Sequence, residues 1–195
     1  MSISDITLSR EQDCVLKKML DLPSNMLIQG PAGSGKTVLI HKFAHECWKR
    51  GIKLACLAPT GFAAQNLPHG MTVHSFFRLP IGYFSPDEIN LSLGKVHLLF
   101  EIDVILIDEC SMLRSDYFAG IDFILREVND SSRPFGGKKV ILVGDIFQLP
   151  PVVDDPAIDM HIESEFGGRY FFNTEAFTRG NFNYSIYYPF FNTIM

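Results

Sequence analysis

One eight-residue segment restricts the fold of this chain more than any other feature. It reads Gly30-Pro31-Ala32-Gly33-Ser34-Gly35-Lys36-Thr37 and matches the pattern G-x-x-x-x-G-K-[ST] of a phosphate-binding loop. The glycines let the backbone curl so that successive N–H groups point at phosphate oxygens, and the helix that follows adds the positive end of its dipole. The whole segment is therefore predicted to bind ATP, with Lys36 on the β- and γ-phosphates and Thr37 as a ligand to Mg²⁺.

Short apolar runs alternate with helical patterns on both sides of this loop. The runs, typical of strands buried on both faces, cover residues 25–29, 53–58, 103–107 and 139–143. The helical patterns cover residues 36–50 and 116–128. This alternation predicts an α/β fold with a mostly parallel sheet and helices on both faces.

Composition excludes several classes of protein. In 195 residues, 17 Lys and Arg stand against 22 Asp and Glu, so the net charge of −5 argues against binding nucleic acid by bulk charge. The first residues lack the pattern of a secretory signal, and no apolar run is long enough to cross a bilayer. Four cysteines without metal-ligand spacing, Cys14, Cys47, Cys56 and Cys110, predict buried or free thiols. We therefore expect a cytoplasmic protein with no membrane partner.

Two of the predicted strands end in polar side chains that can carry chemistry. Asp108 and Glu109 follow one strand, where parallel sheets bind ligands, so Asp108 is a candidate for Mg²⁺ and Glu109 for orienting or deprotonating the attacking water. Asp145 and Gln148 follow another strand. Gln148 has the donor and acceptor to sense a γ-phosphate or the water, but a simple turn before Pro150 explains it equally well.

Uncharged donors cluster near a third strand end. Thr60, Asn66, His74 and Ser75 suit contacts with a phosphodiester backbone, although a structural role explains His74 equally well. Three phenylalanines in the same region are candidates for stacking on bases and, more commonly, for the core: Phe62, Phe76 and Phe77.

Gln12 admits two interpretations. It stands three residues after Ser9, as in a helix capping box. Its amide could equally recognise adenine, and composition does not decide between the two.

Two segments interrupt the alternation of strands and helices. Residues 78–101 are predicted to form an irregular insertion, and residues 150–168, with Asp-Pro and Gly-Gly pairs, a loop or linker. From Phe166 to Met195, eleven of thirty residues are Phe or Tyr, which predicts a surface buried on the core or on a partner.

Six segments, in this order, resemble the superfamily 1 DNA helicases of the RecD-like, PIF-type branch. They are Gln12, G-P-A-G-S-G-K-T at 30–37, A-P-T-G-F-A-A at 58–64, T-V-H-S-F-F at 72–77, I-D-E-C-S-M at 107–112 and G-D-I-F-Q-L-P-P-V at 144–152. The resemblance implies a RecA-like motor domain over residues 1–152 that moves on single-stranded DNA, usually 5′→3′, in DNA repair and recombination. It assigns Gln12 to adenine, Thr60 and His74 to the DNA strand, Gln148 to coupling and residues 78–101 to a small inserted subdomain.

The end of the chain departs from that family's pattern. Such helicases have a second motor domain that supplies an arginine to the γ-phosphate, and residues 153–195 are too few to form it. We therefore expect an excised or truncated first motor domain that binds ATP, hydrolyses it slowly and unwinds no duplex by itself. Two alternatives stay open: an ATPase switch without nucleic acid, and a nucleotide-binding fragment that is inactive alone. The oligomeric state is open too.

Overall fold

A single twisted sheet forms the centre of the molecule in this computed structural model, which describes residues 7–85 and 89–186. Six strands lie in the order β3-β2-β4-β5-β1-β6, and every neighbouring pair is parallel. The strands are β1 (Met26–Gln29), β2 (Leu54–Ala58), β3 (Met71–Thr72), β4 (Val104–Ile107), β5 (Lys139–Gly144) and β6 (Asn183–Ile186).

Helices connect the strands along both faces of the sheet. They are α1 (Arg10–Asp21), α2 (Lys36–Lys49), α3 (Gly61–Gln65), α4 (Val73–Phe77), α5 (Leu93–Glu101), α6 (Ser115–Val128), α7 (Pro156–Phe166) and α8 (Glu175–Gly180). Short 3-10 turns occur at Cys110–Met112, Pro134–Gly137 and Phe171–Asn173. Among the residues that the structure describes, no helix combines the length and the apolar character needed to cross a bilayer.

The four predicted strands and both predicted helices are confirmed, with ends that shift by one residue or not at all. Their side chains alternate between two cores, as the pleat of a strand requires. In β4, Ile105 and Ile107 pack towards α4, α5 and α6, whereas Val104 and Leu106 pack towards α1 and α2. A strand that faces a core on both sides has to be apolar throughout, which is why these runs could be recognised in the sequence.

The prediction of a loop over residues 150–168 is wrong in part, because α7 occupies its second half. Asp155 caps this helix by accepting the Ala157 N–H, and Pro156 stands in the first turn, where no N–H is needed. Gly167 ends the helix with a φ of 69°. The Asp-Pro and Gly-Gly pairs were therefore helix boundaries rather than the interior of a linker.

The prediction of a buried aromatic surface near the C-terminus is confirmed for part of that segment. Phe171 and Phe182 are buried, and Phe177 packs against the same core. The Phe118 ring centroid lies 5.7 Å from that of Phe171, and Phe135 lies 5.9 Å from Phe182. Phe172 and Tyr184 are exposed, and the aromatic residues Tyr187, Tyr188, Phe190 and Phe191 lie outside the described residues.

The prediction of an irregular insertion over residues 78–101 is wrong in part, because α5 forms its last nine residues. Buried residues of this segment pack against α6. Phe84 is buried against Gly120. Two atoms of its ring lie 2.8 Å from the position that a Cβ on Gly120 would take. Leu99 of α5 is fully buried in the same core. The separate subdomain that we expected for this segment stays a prediction, as does the boundary at residue 152.

The prediction for the cysteines is confirmed. All four thiols are free, with Cys47, Cys56 and Cys110 buried and Cys14 exposed. Burial raises the pKa of Cys56 to about 12, so this thiol stays protonated and unreactive at neutral pH.

Gly70, between α3 and β3, provides a test of this packing. A Cβ at this position would lie 2.1 Å from the Ala64 carbonyl oxygen, a backbone atom that cannot rotate away. We expect Gly70→Ala to lower the free energy of unfolding by about 2 kcal/mol or more in urea titrations followed by circular dichroism. Gly61→Ala, where nothing lies within 4 Å, is the control and should unfold with the parent. A Gly70→Ala chain as stable as the parent would contradict this packing.

Candidate nucleotide site and adjoining cleft

The phosphate loop lies where β1 ends and α2 begins. The Gly30 N–H donates to the Gly144 carbonyl at 3.1 Å, which attaches the start of the loop to the end of β5. Gly33 and Gly35 have φ angles of 74° and 85°, in the left-handed region that glycine adopts without strain. The loop therefore has the local geometry that its sequence predicts, a curled backbone that leads directly into a helix.

Two polar side chains of the loop differ in their partners. The Lys36 ammonium donates to the carbonyl oxygens of Gly30 and Pro31, at 2.7 and 3.0 Å, and so lies against the loop itself. The Ser34 hydroxyl is buried and has no hydrogen-bond partner among the described residues. Thr37 is exposed in the first turn of α2, one residue after Lys36.

Gln12 forms the capping box that was one of its two interpretations. The Gln12 N–H donates to the Ser9 hydroxyl at 3.2 Å, and the Ser9 N–H donates to Gln12 Oε1 at 2.9 Å. Gln12 Nε2 also lies 3.5 Å from the Gly35 carbonyl oxygen, so the same side chain contacts the phosphate loop. The role of Gln12 towards adenine stays a prediction.

Asp108 directly follows β4, at the edge of the sheet where the phosphate loop also lies. Its side chain is buried, and Oδ1 has no hydrogen-bond partner in the described part of the chain. Burial raises the pKa of Asp108 to about 6, and the charge of Glu109 adds to this, whereas the Glu109 backbone N–H and the charge of Lys36 lower it. A carboxylate in this position has one oxygen available for a cation or a polar ligand.

Glu109 has an unusual backbone. Its φ of 52° and ψ of 41° lie in the left-handed region, which is uncommon for a residue other than glycine. Glu109 is half-buried and begins the 3-10 turn at Cys110–Met112. Strain of this kind costs of order 1 kcal/mol and concentrates at functional sites, so it supports a special role for this residue.

Three buried side-chain oxygens lack hydrogen-bond partners in residues 7–85 and 89–186: Ser34 Oγ, Asp108 Oδ1 and Ser111 Oγ. Such atoms are rare because each costs about 1–3 kcal/mol when left unpaired. Two of them belong to the phosphate loop and to the acid at the end of β4. Oxygen donors of this kind are the ligands that Mg²⁺ and its water shell prefer, so the residues present fit a magnesium–phosphate ligand.

The turn that was one of the two interpretations of Gln148 is present after β5, where the Gln148 N–H donates to the Asp145 carbonyl at 3.0 Å. Asp145 accepts the Phe147 N–H at 3.1 Å and Gln148 Nε2 at 3.0 Å, and Gln148 is exposed. This turn lies at the same edge of the sheet as the phosphate loop, because β1 and β5 are parallel neighbours. The role of Gln148 towards a phosphate or a water stays a prediction.

Thr60 and His74 face one cleft of about 270 Å³ beyond the end of β2. Its remaining walls are Pro59, Met112, Leu113, Arg114, Tyr117 and Val152. The Thr60 hydroxyl accepts the Ala63 N–H at 3.2 Å and so caps α3. Arg114 and Tyr117 were not among the residues predicted from the sequence; the spacing Arg114-x-Asp116 at the start of α6 is the signal that could have indicated them.

The other candidates for contacts with DNA are divided between surface and core. Asn66 and Ser75 are exposed and do not line this cleft, and their predicted contacts stay predictions. Phe62 is 82% exposed, whereas Phe76 and Phe77 are buried. The core alternative therefore holds for Phe76 and Phe77, and only Phe62 of the three leaves its ring free to stack.

His74 is half-buried and uncharged at neutral pH. Burial is the main cause that lowers the pKa of His74, and the neighbouring positive charge of Arg114 lowers it further, whereas the negative charge of Asp116 raises it. The cleft therefore offers a neutral imidazole and a hydroxyl, which suit hydrogen bonds to a phosphodiester without a strong dependence on charge.

A parallel α/β sheet with a phosphate loop after β1 and an acidic pair after β4 is the architecture of a RecA-like P-loop NTPase domain. Comparison with known families makes the assignment more specific. The family described as PIF1-like helicase matches residues 7–172, and the chain therefore belongs to that family.

Individual relatives agree with this assignment. The ATP-dependent DNA helicase PIF1 of Saccharomyces cerevisiae (strain YJM789) is 35% identical over 159 residues, which are 77% of this chain and 18% of the relative. The Psychrobacter helicase Pif1 is 37% identical over 69% of this chain and 21% of its own length. The Bacteroides Pif1 structure with single-stranded DNA has a TM-score of 0.84 at 36% identity and covers 94% of this chain. The chain thus spans about a fifth of these curated relatives and 42% of that solved chain.

Asp108 provides a test of the site that needs no ligand. Because its buried carboxylate has an unpaired oxygen, we expect Asp108→Asn to raise the free energy of unfolding by about 1–2 kcal/mol at pH 7.5. The control is Asp130→Asn, which removes the same charge at an exposed position whose φ of 45° asparagine tolerates. Urea unfolding of the free protein is the measurement. Equal or lower stability of Asp108→Asn would show that the carboxylate is well accommodated by the fold.

Proposed function

We propose that this chain is the ATP-hydrolysing N-terminal motor domain of a DNA helicase and that it binds Mg-ATP and single-stranded DNA. One observation carries the proposal: the phosphate loop and the cleft with Thr60 and His74 lie at the same edge of the sheet, on either side of the segment that follows β4. That segment carries Asp108 at its start and the cleft wall at Met112 and Leu113. The names of the PIF1 relatives, which are ATP-dependent DNA helicases, support it.

On the nucleotide side, the backbone of the loop from Gly30 to Gly35 receives the phosphates. Lys36 exchanges its bonds to the Gly30 and Pro31 carbonyls for bonds to the β- and γ-phosphates, which are better acceptors. Gln12 contacts the loop, and in this proposal its side-chain amide recognises the adenine.

Thr37 and Asp108 hold Mg²⁺ in this proposal. Bound there, the ion neutralises phosphate charge and polarises the phosphoryl group. Asp108 suits this position because its free oxygen gains a partner, which relieves the cost of burying the carboxylate.

Glu109 is the proposed general base. It directly follows Asp108 at the end of β4, its backbone lies in the left-handed region, and its half-burial leaves the side chain accessible to a water. Glu109 orients the attacking water and takes its proton, while Gln148, held by Asp145, senses the γ-phosphate or that water.

On the DNA side, Thr60 and His74 donate to the phosphodiester backbone, and the exposed Phe62 ring stacks on a base. Asn66 and Ser75 add contacts outside the cleft. Since none of these groups is charged, we expect binding that depends less on salt than binding by a basic patch.

The wider role follows the family. We propose 5′→3′ movement on single-stranded DNA, work in DNA repair and recombination, and a cytoplasmic location. We also propose a second motor domain as partner, because an arginine supplied to the γ-phosphate typically accelerates hydrolysis about 10³–10⁵-fold. By itself this chain should bind ATP, hydrolyse it slowly and leave duplex DNA intact.

Lys36→Ala tests the nucleotide site. Removing the ammonium from the loop should weaken Mg-ATP binding at least about 100-fold in titrations with a fluorescent ATP analogue, since a charge-assisted bond to phosphate is lost. Lys49→Ala, an exposed lysine at the end of α2, should bind like the parent. Turnover of Mg-ATP with and without single-stranded oligonucleotide is measured on the same proteins. Unchanged ATP affinity in Lys36→Ala would exclude the loop as the nucleotide site.

The double variant Thr60→Ala/His74→Ala tests the DNA cleft. Loss of two backbone contacts should weaken binding of a fluorescein-labelled oligonucleotide by about 10-fold or more in anisotropy titrations. Binding of Mg-ATP should be retained. The control Thr178→Ala/His97→Ala removes the same residue types at exposed positions away from the cleft. If the double variant keeps the parent's affinity for DNA but folds normally, an ATPase switch without nucleic acid becomes the better assignment.

A further inference from the structure

A buried ion pair at the start of α6 is not explained by the nucleotide chemistry. Arg114 Nε donates to Asp116 Oδ1 at 2.9 Å, and Nη2 donates to Oδ2 at 2.6 Å, so the guanidinium and the carboxylate meet as a fork. Arg114 is 9% exposed and Asp116 is completely buried. Burying two charges costs more than burying apolar groups of the same size unless further bonds compensate, so such a pair suggests a specific task.

Those further bonds attach a distant segment to α6. Arg114 Nη2 and the Tyr117 hydroxyl both donate to the Gly82 carbonyl oxygen, each at 2.7 Å. Asp116 Oδ2 accepts the Phe84 N–H at 3.0 Å. The pair therefore fixes residues 82–84 and the Tyr117 hydroxyl relative to the first turn of α6.

The same guanidinium reaches the cleft through an aromatic ring. Its central carbon lies 4.2 Å from the centroid of the Tyr117 ring, a cation–π contact. The Tyr117 ring in turn meets His74 nearly edge-on, with centroids 4.4 Å apart and planes at 78°. Arg114 and the Gly82 carbonyl thus hold Tyr117, and Tyr117 holds the imidazole of His74.

We propose that Arg114 is a positioning residue for the single-stranded DNA cleft: through Tyr117 it fixes the orientation in which His74 meets the DNA backbone. This inference rests on the proposed function, since it assumes that His74 contacts DNA. Arginine suits the task better than lysine, because its planar fork pairs with Asp116 while one face of the plane stacks on Tyr117.

The test is a double-mutant cycle on affinity for single-stranded DNA. The paired variant Arg114→Met/Asp116→Asn removes both charges together, so no uncompensated charge is left in the core. The amide oxygen that Asp116→Asn introduces can still accept the Phe84 N–H. His74→Gln removes the imidazole. Affinity is measured by anisotropy with a fluorescein-labelled oligonucleotide for the parent, for the paired variant, for His74→Gln and for their combination.

We expect the paired variant and His74→Gln each to weaken binding about 10-fold. The combination should be no weaker than His74→Gln alone, because Arg114 acts through that ring. A residue that only stabilised the fold would give losses that multiply, to about 100-fold. Near-UV circular dichroism and affinity for an ATP analogue are followed in parallel to verify that the fold is intact.

Arg114→Lys is a second, more conservative variant that keeps the inference testable if the paired variant does not fold. It keeps the positive charge beside Asp116 but lacks the fork and the stacking plane, so it should also weaken DNA binding, and again not further in the His74→Gln background. Independent losses in this cycle, or parent-like affinity of the Arg114 variants beside a weakened His74→Gln, would overturn the positioning role and leave the proposed function standing. Parent-like affinity of His74→Gln would overturn both the role of His74 in DNA binding and the inference built on it.

Discussion

The parallel register of β1, β5 and β4 is the constraint on which the candidate site depends. Gln29 is level with Gly144 and Ile107 is level with Leu142, so the three strands finish within a residue or two of one another. The phosphate loop, the turn with Asp145 and the acid pair at Asp108 therefore emerge side by side. A shift of one residue in either pairing would turn each strand's two apolar faces towards the wrong cores, so the cores themselves enforce this register.

The site is built at some expense to the stability of the fold. Ser34, Asp108 and Ser111 bury oxygens without partners in the described chain, and Glu109 adopts a backbone conformation that disfavours its side chain. In the rest of the described chain, buried polar side chains are paired: Asp122, a buried residue of α6, accepts both the Phe135 N–H and the Arg126 guanidinium. The contrast locates the positions where a ligand, rather than the protein, is expected to complete the hydrogen bonding.

One short connection serves both halves of the proposed activity. Between the end of β4 and the first turn of α6, the chain passes from Asp108 and Glu109 through a 3-10 turn to Arg114 and Tyr117 on the wall of the cleft. Two apolar side chains of this connection, Cys110 and Leu113, are buried in the same core as Phe118. The candidate nucleotide residues Asp108 and Glu109 and one wall of the cleft are therefore parts of one packed segment of the chain.

The sequence by itself determined the features that depend on local pattern. Strands buried on both faces are continuous apolar runs, the phosphate loop needs glycine at fixed spacing, and the capping box of Gln12 depends on residues three apart. These rules involve neighbours along the chain, so they predicted β1, β2, β4, β5, α2 and α6 nearly to the residue. The same local signals failed at α7, because an Asp-Pro pair and a Gly-Gly pair can bound a helix as well as fill a loop.

Only the tertiary structure decided which side chains share a surface. Phe62 and Phe77 come from the same stretch of sequence, yet Phe62 is exposed, whereas Phe77 has no exposed surface because it packs into the core with α5 and α6. The Arg114 guanidinium is held by the carbonyl of Gly82, 32 residues earlier, and by the carboxylate of Asp116. No spacing rule in the sequence connects these residues to His74. Burial and contact depend on parts of the chain that are remote in sequence. A single sequence can therefore name candidate groups such as Thr60 and His74, but folding alone shows that they share a cleft.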